Sequence, residues 1–304
     1  MKKAEPNYYS SFSCIADKCK HTCCVGWEIA VDKDKRKYYD SVDGDLGKRL
    51  SESISDDGNF ILDDNDRCPF LNTSGLCDII SELGESALCT ICREHPRFYN
   101  FYSDFCEVGI GMCCERAAEV ILGFEQPFAM ECAEECTLSA EEQFFFSLRR
   151  RIFDIIQDRS CTITQRLENL CLEYDFSFSD ISLNAVVDLL LSLEHLDSLW
   201  AEELNKIRNC KVDYSFLDST DLAVPFEQLL CYFVLRHFSI ATGNYYESVC
   251  FVCAAFATVS ALCFCRMKDT GKAEIADVAD CARMFSAEVE YSSENTSALM
   301  KFFE

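Results

Sequence analysis

The sequence predicts a mainly α protein in two parts. A small, irregular, cysteine-rich metal-binding domain with a short hairpin spans residues 1–136, and an all-α helical domain spans residues 137–304. Three observations carry this prediction. Thirteen of the 22 cysteines fall at or before Cys136, in clusters that packing alone does not require. Residues 98–102 and 105–110, around a Ser103-Asp104 turn, have the pattern of a hairpin. After Cys136 the chain runs in helical periods interrupted only by Pro225, with Gly243 and Gly271 between segments.

Taken in order, the chain first shows Cys14, Cys19, Cys23 and Cys24 in the spacing C-x4-C-x3-C-C. Residues 27–31 alternate weakly, as a short strand does. Short helices are expected over 33–39 and 46–54, with Asp43-Gly44 and Asp57-Gly58 as turn signals. Residues 68–71 and 75–77 form two extended pieces around a turn at 72–75. A helical turn or two over 78–83 ends at Gly84. Ser86 is positioned to cap a helix bearing Cys89 and Cys92, which at i and i+3 would share a face. Alternatively this C-x2-C is a knuckle whose backbone N–H groups point at sulfur. Pro96 stops the segment at or before His95.

A helix over 112–122 follows the hairpin. Gly109 and Gly111 resemble the start of a dinucleotide fingerprint, but Cys114 stands where the third glycine would fall and no βαβ period surrounds it. Ser139 and Glu142 make a capping box for a helix over 140–158. Further helices are expected over 162–174, 181–208, 220–242, 245–267 and 272–290. Residues 248–265 carry no charge and are long enough to reach the lower limit for a bilayer span. Their Ala, Ser, Thr and Cys content, without a second such segment, favours a buried central helix.

Composition narrows the function. The net charge is -24, and division after Cys136 leaves -12 on each side, so acidity belongs to the whole surface. That excludes a nucleic-acid footprint and attraction to anionic membranes, and it favours encounter with a lysine-rich protein surface. Met1-Lys2-Lys3 leads into AEPNYYSS with no apolar core, so a reduced, cytoplasmic protein is expected. Clustered cysteines in that setting point to metal ligation. The nine cysteines after Cys136 lie mostly in helical patterns and read as core.

Thiolates suit zinc or an iron–sulfur cluster, and spacing separates the two poorly. One zinc needs four ligands, so the surplus of thiols means two metals or a larger cluster with spare thiols nearby. The C-x3-C-x2-C pattern of radical SAM enzymes is not met, because Cys24 directly follows Cys23. His21 and His95 lie within three residues of candidate cysteines, as ligands, shuttles or neighbours. Arg93 and Arg97 could hold a cofactor carboxylate, offset thiolate charge, or pair with local acids such as Glu94. No catalytic residue is identified.

Taken together, the stretches CIADKCKHTCCVGWEIAVD and RCPFLNTSGLCDIISELGESALCTICREHPRFYNFYSDFCEVGIGMCCERAAEVIL resemble the flagellin lysine-N-methylase family. That family lies within the group of cysteine-rich zinc- or iron-chelating domains. The matching residues are Cys19, Cys23 and Cys24, then Cys68 with Phe70-Leu71, Cys77 with Ile79, and Cys89 and Cys92 with Pro96-Arg97. The likeness covers residues 8–123. It implies an iron–sulfur-dependent protein lysine N-methyltransferase, with a four-iron cluster at the seven matched cysteines and S-adenosylmethionine as methyl donor. It implies flagellin as the protein substrate. Arg93 and Arg97, by their charge and their place beside His95, are the cofactor-binding candidates. The competing expectation is a non-enzymatic zinc- or iron-chelating protein.

Overall fold

A computed structural model describes residues 1–218 and 221–303. The fold is mainly α, with thirteen α-helices and four strands among the described residues. The chain forms two compact units, Ser13–Arg97 and a larger one of Met1–Phe12 with Phe98–Glu304. Residues 98–136 therefore pack with the helices that follow them.

The smaller unit has little regular structure. Helices α1 (Lys33–Tyr39), α2 (Gly44–Glu52), α3 (Asp78–Leu83) and α4 (Thr90–Glu94) are each too short to persist alone. They gather around Tyr39, Leu50, Phe60, Phe70 and Ile79. Tyr39 donates its hydroxyl to the Ala87 carbonyl at 2.8 Å, tying α1 to the chain before α4. The strand expected over 27–31 is not formed. In its place stand isolated bridges, Val25 with Arg67 and Ala30 with Asn59, because Asp32 already caps α1 and ends the run.

In the larger unit, strands β1 (Lys2–Pro6), β2 (Arg97–Phe101), β3 (Phe105–Ile110) and β4 (Met130–Cys132) form one sheet in the order β2-β3-β1-β4. β1 runs parallel to β3, with Lys3 opposite Cys106, and antiparallel to β4, with Glu5 opposite Glu131. The hairpin appears where the sequence predicts it. Among the described residues after Cys136 there are helices and no strand; the four strands all lie before it, and β1 finds its backbone partners in segments about a hundred residues away. Gly109 and Gly111 owe their identity to packing. A Cβ at Gly109 would meet the Phe98 ring at 2.2 Å, and one at Gly111 the Tyr291 hydroxyl at 2.4 Å.

Helices α5 (Glu115–Leu122), α6 (Ala140–Ile156), α7 (Ile163–Leu172), α8 (Leu183–Ser192), α9 (Ser198–Arg208), α10 (Ala223–His237), α11 (Tyr245–Thr270), α12 (Ile275–Phe285) and α13 (Ser293–Lys301) complete the unit. The capping box of Ser139 and Glu142 opens α6, and a second, Thr162 with Gln165, opens α7. The single helix expected over 181–208 breaks into α8 and α9. Glu288 accepts from the Leu196 and Asp197 N–H groups at 2.9 Å each, giving the break its partners. The helix expected over 220–242 begins at a residue outside those described, and Pro225 sits harmlessly in the first turn of α10. The helix α12 passes into a π-helical turn, Ser286–Glu290, and α13 is an element the sequence reading did not anticipate. The uncharged stretch 248–265 lies wholly buried within α11, which is long and apolar enough by composition to cross a membrane. No disulfide is formed among the described residues.

Candidate metal centre

Five cysteines of the smaller unit, Cys24, Cys68, Cys77, Cys89 and Cys92, belong to one apolar core. Backbone pairing puts them there. The Cys68 N–H donates to the Cys24 carbonyl at 2.8 Å and Val25 bridges Arg67, so 24–26 is zipped to 66–68. Leu71 bridges Cys77, and the Asp78 N–H donates to the Phe70 carbonyl at 2.8 Å. The Asn72 side chain closes the intervening turn by accepting from the Ser74 and Leu76 N–H groups.

Cys89 and Cys92 do not share a face of one helix. Residues 85–87 form a 3-10 turn, Cys89 is the extended N-cap of α4, and only Cys92 lies inside it. Asp32 sets this boundary. Its carboxylate accepts from the Lys35 N–H at the start of α1 and from the Thr90 N–H at the start of α4. Burial pushes the Asp32 carboxyl up, but the Thr90 and Lys35 donors outweigh it and hold the group below its ordinary value. The sequence reading passed over Asp32, although an Asp just ahead of a helical run is an N-cap signal.

The sulfurs sit among backbone donors. The Phe70 N–H pulls the Cys68 thiol down, those of Ile79 and Ile80 the Cys77 thiol, and that of Cys92 the Cys89 thiol, since turn N–H groups offset negative charge on sulfur. Burial pushes the Cys68 thiol up to about 12 and the Cys77 thiol in the same direction. Neighbouring thiols move others down: Cys23 holds Cys24 at about 7, and Cys92 holds Cys89 at about 7. Cys92 is pushed the opposite way by Cys89. Cys68 senses the charge of Cys24, Cys77 and Cys89, and Cys92 that of Cys24, Cys68 and Cys89.

The remaining expected residues lie at the edge of this group. Cys23 is exposed and bonded to Cys24, and Cys19 Sγ donates to the His21 carbonyl at 3.4 Å. Cys14 is exposed, with the Ala16 N–H donating to its sulfur at 3.4 Å. The His95 ring packs on Trp27 at 5.4 Å, and the Trp27 indole donates to the Cys23 carbonyl at 2.6 Å. Arg93 pairs with Glu94 at 3.1 Å, and Arg97 donates to the Arg93 carbonyl at 3.3 Å. Among the described residues no three Cys, His, Asp or Glu side chains converge as ligands around one point. The residues suit a thiophilic ion or cluster through donor chemistry: five thiols lie in or against one small core.

In the larger unit the polar groups are engaged structurally. Glu107, one of the acids near the hairpin, is buried against Arg149, with Arg149 Nη1 at 2.8 Å and the Tyr102 hydroxyl donating at 3.1 Å. His237 contacts Glu290 at 2.5 Å, and His195 the Leu190 carbonyl at 2.9 Å.

Residues 180–304 match the FliB lysine N-methylase C-terminal domain. The chain is 28% identical over 163 residues to the flagellar biosynthetic protein FliU of Salmonella muenchen, covering 49% of this chain and 89% of that protein. It is 28% identical over 145 residues to a lysine-N-methylase of Salmonella typhimurium (strain LT2), covering 43% of this chain and 34% of the methylase. A lysine-N-methylase of Salmonella choleraesuis matches at the same identity and coverage. The match thus spans about a third of each methylase's length. No solved structure matches the chain.

Proposed function

We propose that the protein is a lysine N-methyltransferase that uses S-adenosylmethionine to methylate surface lysines of flagellin in the cytoplasm. The observation that carries this reading is the match of residues 180–304 to the FliB lysine N-methylase C-terminal domain. The printed names of the relatives support a flagellar setting and a lysine target.

The metal belongs to the same proposal. Cys19, Cys23, Cys24, Cys68, Cys77, Cys89 and Cys92 are the candidate ligands, with Cys24, Cys68, Cys77, Cys89 and Cys92 favoured by their shared core. An iron–sulfur cluster there would supply one-electron chemistry, and zinc would supply structure. Backbone N–H groups of Phe70, Ile79, Ile80 and Cys92 would offset thiolate charge in either case. Arg93 and Arg97 would take the carboxylate of the methyl donor, with the ligand replacing Glu94 at Arg93. The net charge of -24 would gather lysine-rich surfaces before reaction. The attacking lysine must lose its proton, to a base or by desolvation.

Two experiments test this reading. Anaerobic purification should give a brown protein with broad absorption near ~400 nm. A colourless protein with stoichiometric zinc sinks the iron–sulfur assignment. Incubation with S-adenosylmethionine and flagellin under reducing conditions should add methyl masses to flagellin lysines. Absence of any gain removes methyl transfer and leaves the chelating role.

A further inference from the structure

A second group of thiols lies in the larger unit, away from every residue assigned above. A cavity of about 360 Å³ opens beside the C-terminal end of α9, lined by Lys206, Cys210, Cys265, Lys268 and Asp269, among others. Cys210 follows α9 directly and is half-buried, whereas Cys265 lies on α11 and is buried. The two thiols line the same cavity, and the Cys210 sulfur adds to the burial that pushes the Cys265 thiol up. Lys268, exposed one turn beyond Cys265, donates from Nζ to Cys210 Sγ at 3.8 Å.

Each feature has a chemical meaning. A cation beside a partly exposed thiol favours the nucleophilic form of sulfur, and a second thiol in contact can resolve what the first one forms. The cavity gives a small reagent access to the pair. A buried pair elsewhere, Cys171 and Cys253 at 3.6 Å, shares the proximity but is inaccessible from solvent.

We propose that Cys210 and Cys265 form a peroxide-reactive dithiol site, with Cys210 attacking and Cys265 resolving. Cys210 sulfur attacks one peroxide oxygen, the O–O bond breaks, and the other oxygen leaves with the thiol proton as water or an alcohol. Cys210 is now a sulfenic acid. Cys265 sulfur displaces its hydroxyl, which takes the Cys265 proton and leaves as water, and the S–S bond forms. Two thiols are oxidised and one peroxide is reduced. The product links the end of α9 to α11 within the matched C-terminal domain. Burial pushes the Cys265 thiol up to about 12, consistent with its acting second.

The test uses the full-length protein with one equivalent of hydrogen peroxide and peptide mapping without reduction. The expected product is a peptide pair joined through Cys210 and Cys265, lighter by two hydrogens than the free thiols. C265S should stop at a Cys210 sulfenic acid that dimedone traps. K268M, a change at an exposed side chain, should slow trapping by ~10-fold. Cys161 provides the comparison, since its thiol faces the Asp158 carboxylate at 3.6 Å. A Cys210 that forms no link in the wild type and is trapped in C265S no faster than Cys161 overturns the proposal.

Discussion

Arg149 illustrates what single residues contribute to the larger unit. Its guanidinium is buried with Glu107, stacked near Phe145 and Phe146, and bonded to Tyr102. Replacing Arg149 by Met leaves a carboxylate buried without its cation, which should cost ~3–5 kcal/mol in urea denaturation. Adding E107Q should recover much of that loss. A single-mutant cost below ~1 kcal/mol would show that the pair carries no net burden. Nothing in the sequence announces the pair, because its members are 42 residues apart. The candidate cysteines stand out for the opposite reason: their C-x3-C-C and C-x2-C spacings are local. Glu142 makes a pH prediction. The N–H groups of Ser103 and Ser139, with the Ser103 hydroxyl, hold its carboxyl at about 2 instead of the ordinary 4.5. A depressed folded value stabilises the protein above pH 4.5, and that stability fades as pH falls toward about 2. The stability difference between wild type and E142Q should therefore shrink across that interval in acid titrations. A difference constant with pH contradicts the assignment.

Helices α6 and α7 were legible, and their caps are local. Ser139 with Glu142 and Thr162 with Gln165 both form the boxes their spacing allows. T162A should cost ~1 kcal/mol of stability. The break between α8 and α9 was not legible, because it contains no Gly or Pro and its orphan N–H groups are satisfied by Glu288 about ninety residues on. The start of α4 was misplaced for the same reason, since Asp32 supplies its acceptor from 58 residues away. Cys250 on α11 is buried as an apolar side chain would be. C250S should cost on the order of 1 kcal/mol and leave metal content unchanged, whereas C92S should lose metal. Equal metal loss in both, by elemental analysis, would mean that the ligands have been misassigned.

At the scale of the molecule, the two units rest on different foundations. The larger buries residues 248–265 of α11 and surrounds them with aromatic side chains. The smaller has short helices, a modest core and no disulfide, so bound metal would be a large part of its folding free energy. Metal removal should therefore accelerate hydrogen exchange across residues 13–97 and leave α11 protected. The sequence divided the chain by cysteine content, whereas β1 and the hairpin draw residues 1–12 and 98–136 into the larger unit through long-range pairing. The central claim joins a thiol-bound metal to methyl transfer, and one measurement addresses both: the intact mass of flagellin after anaerobic incubation with S-adenosylmethionine and either the wild-type protein or C92S. The account predicts methyl increments on lysine with the metal-loaded wild type and none with C92S. An unchanged flagellin mass with metal-loaded wild type, or equal increments with metal-free C92S, would contradict it.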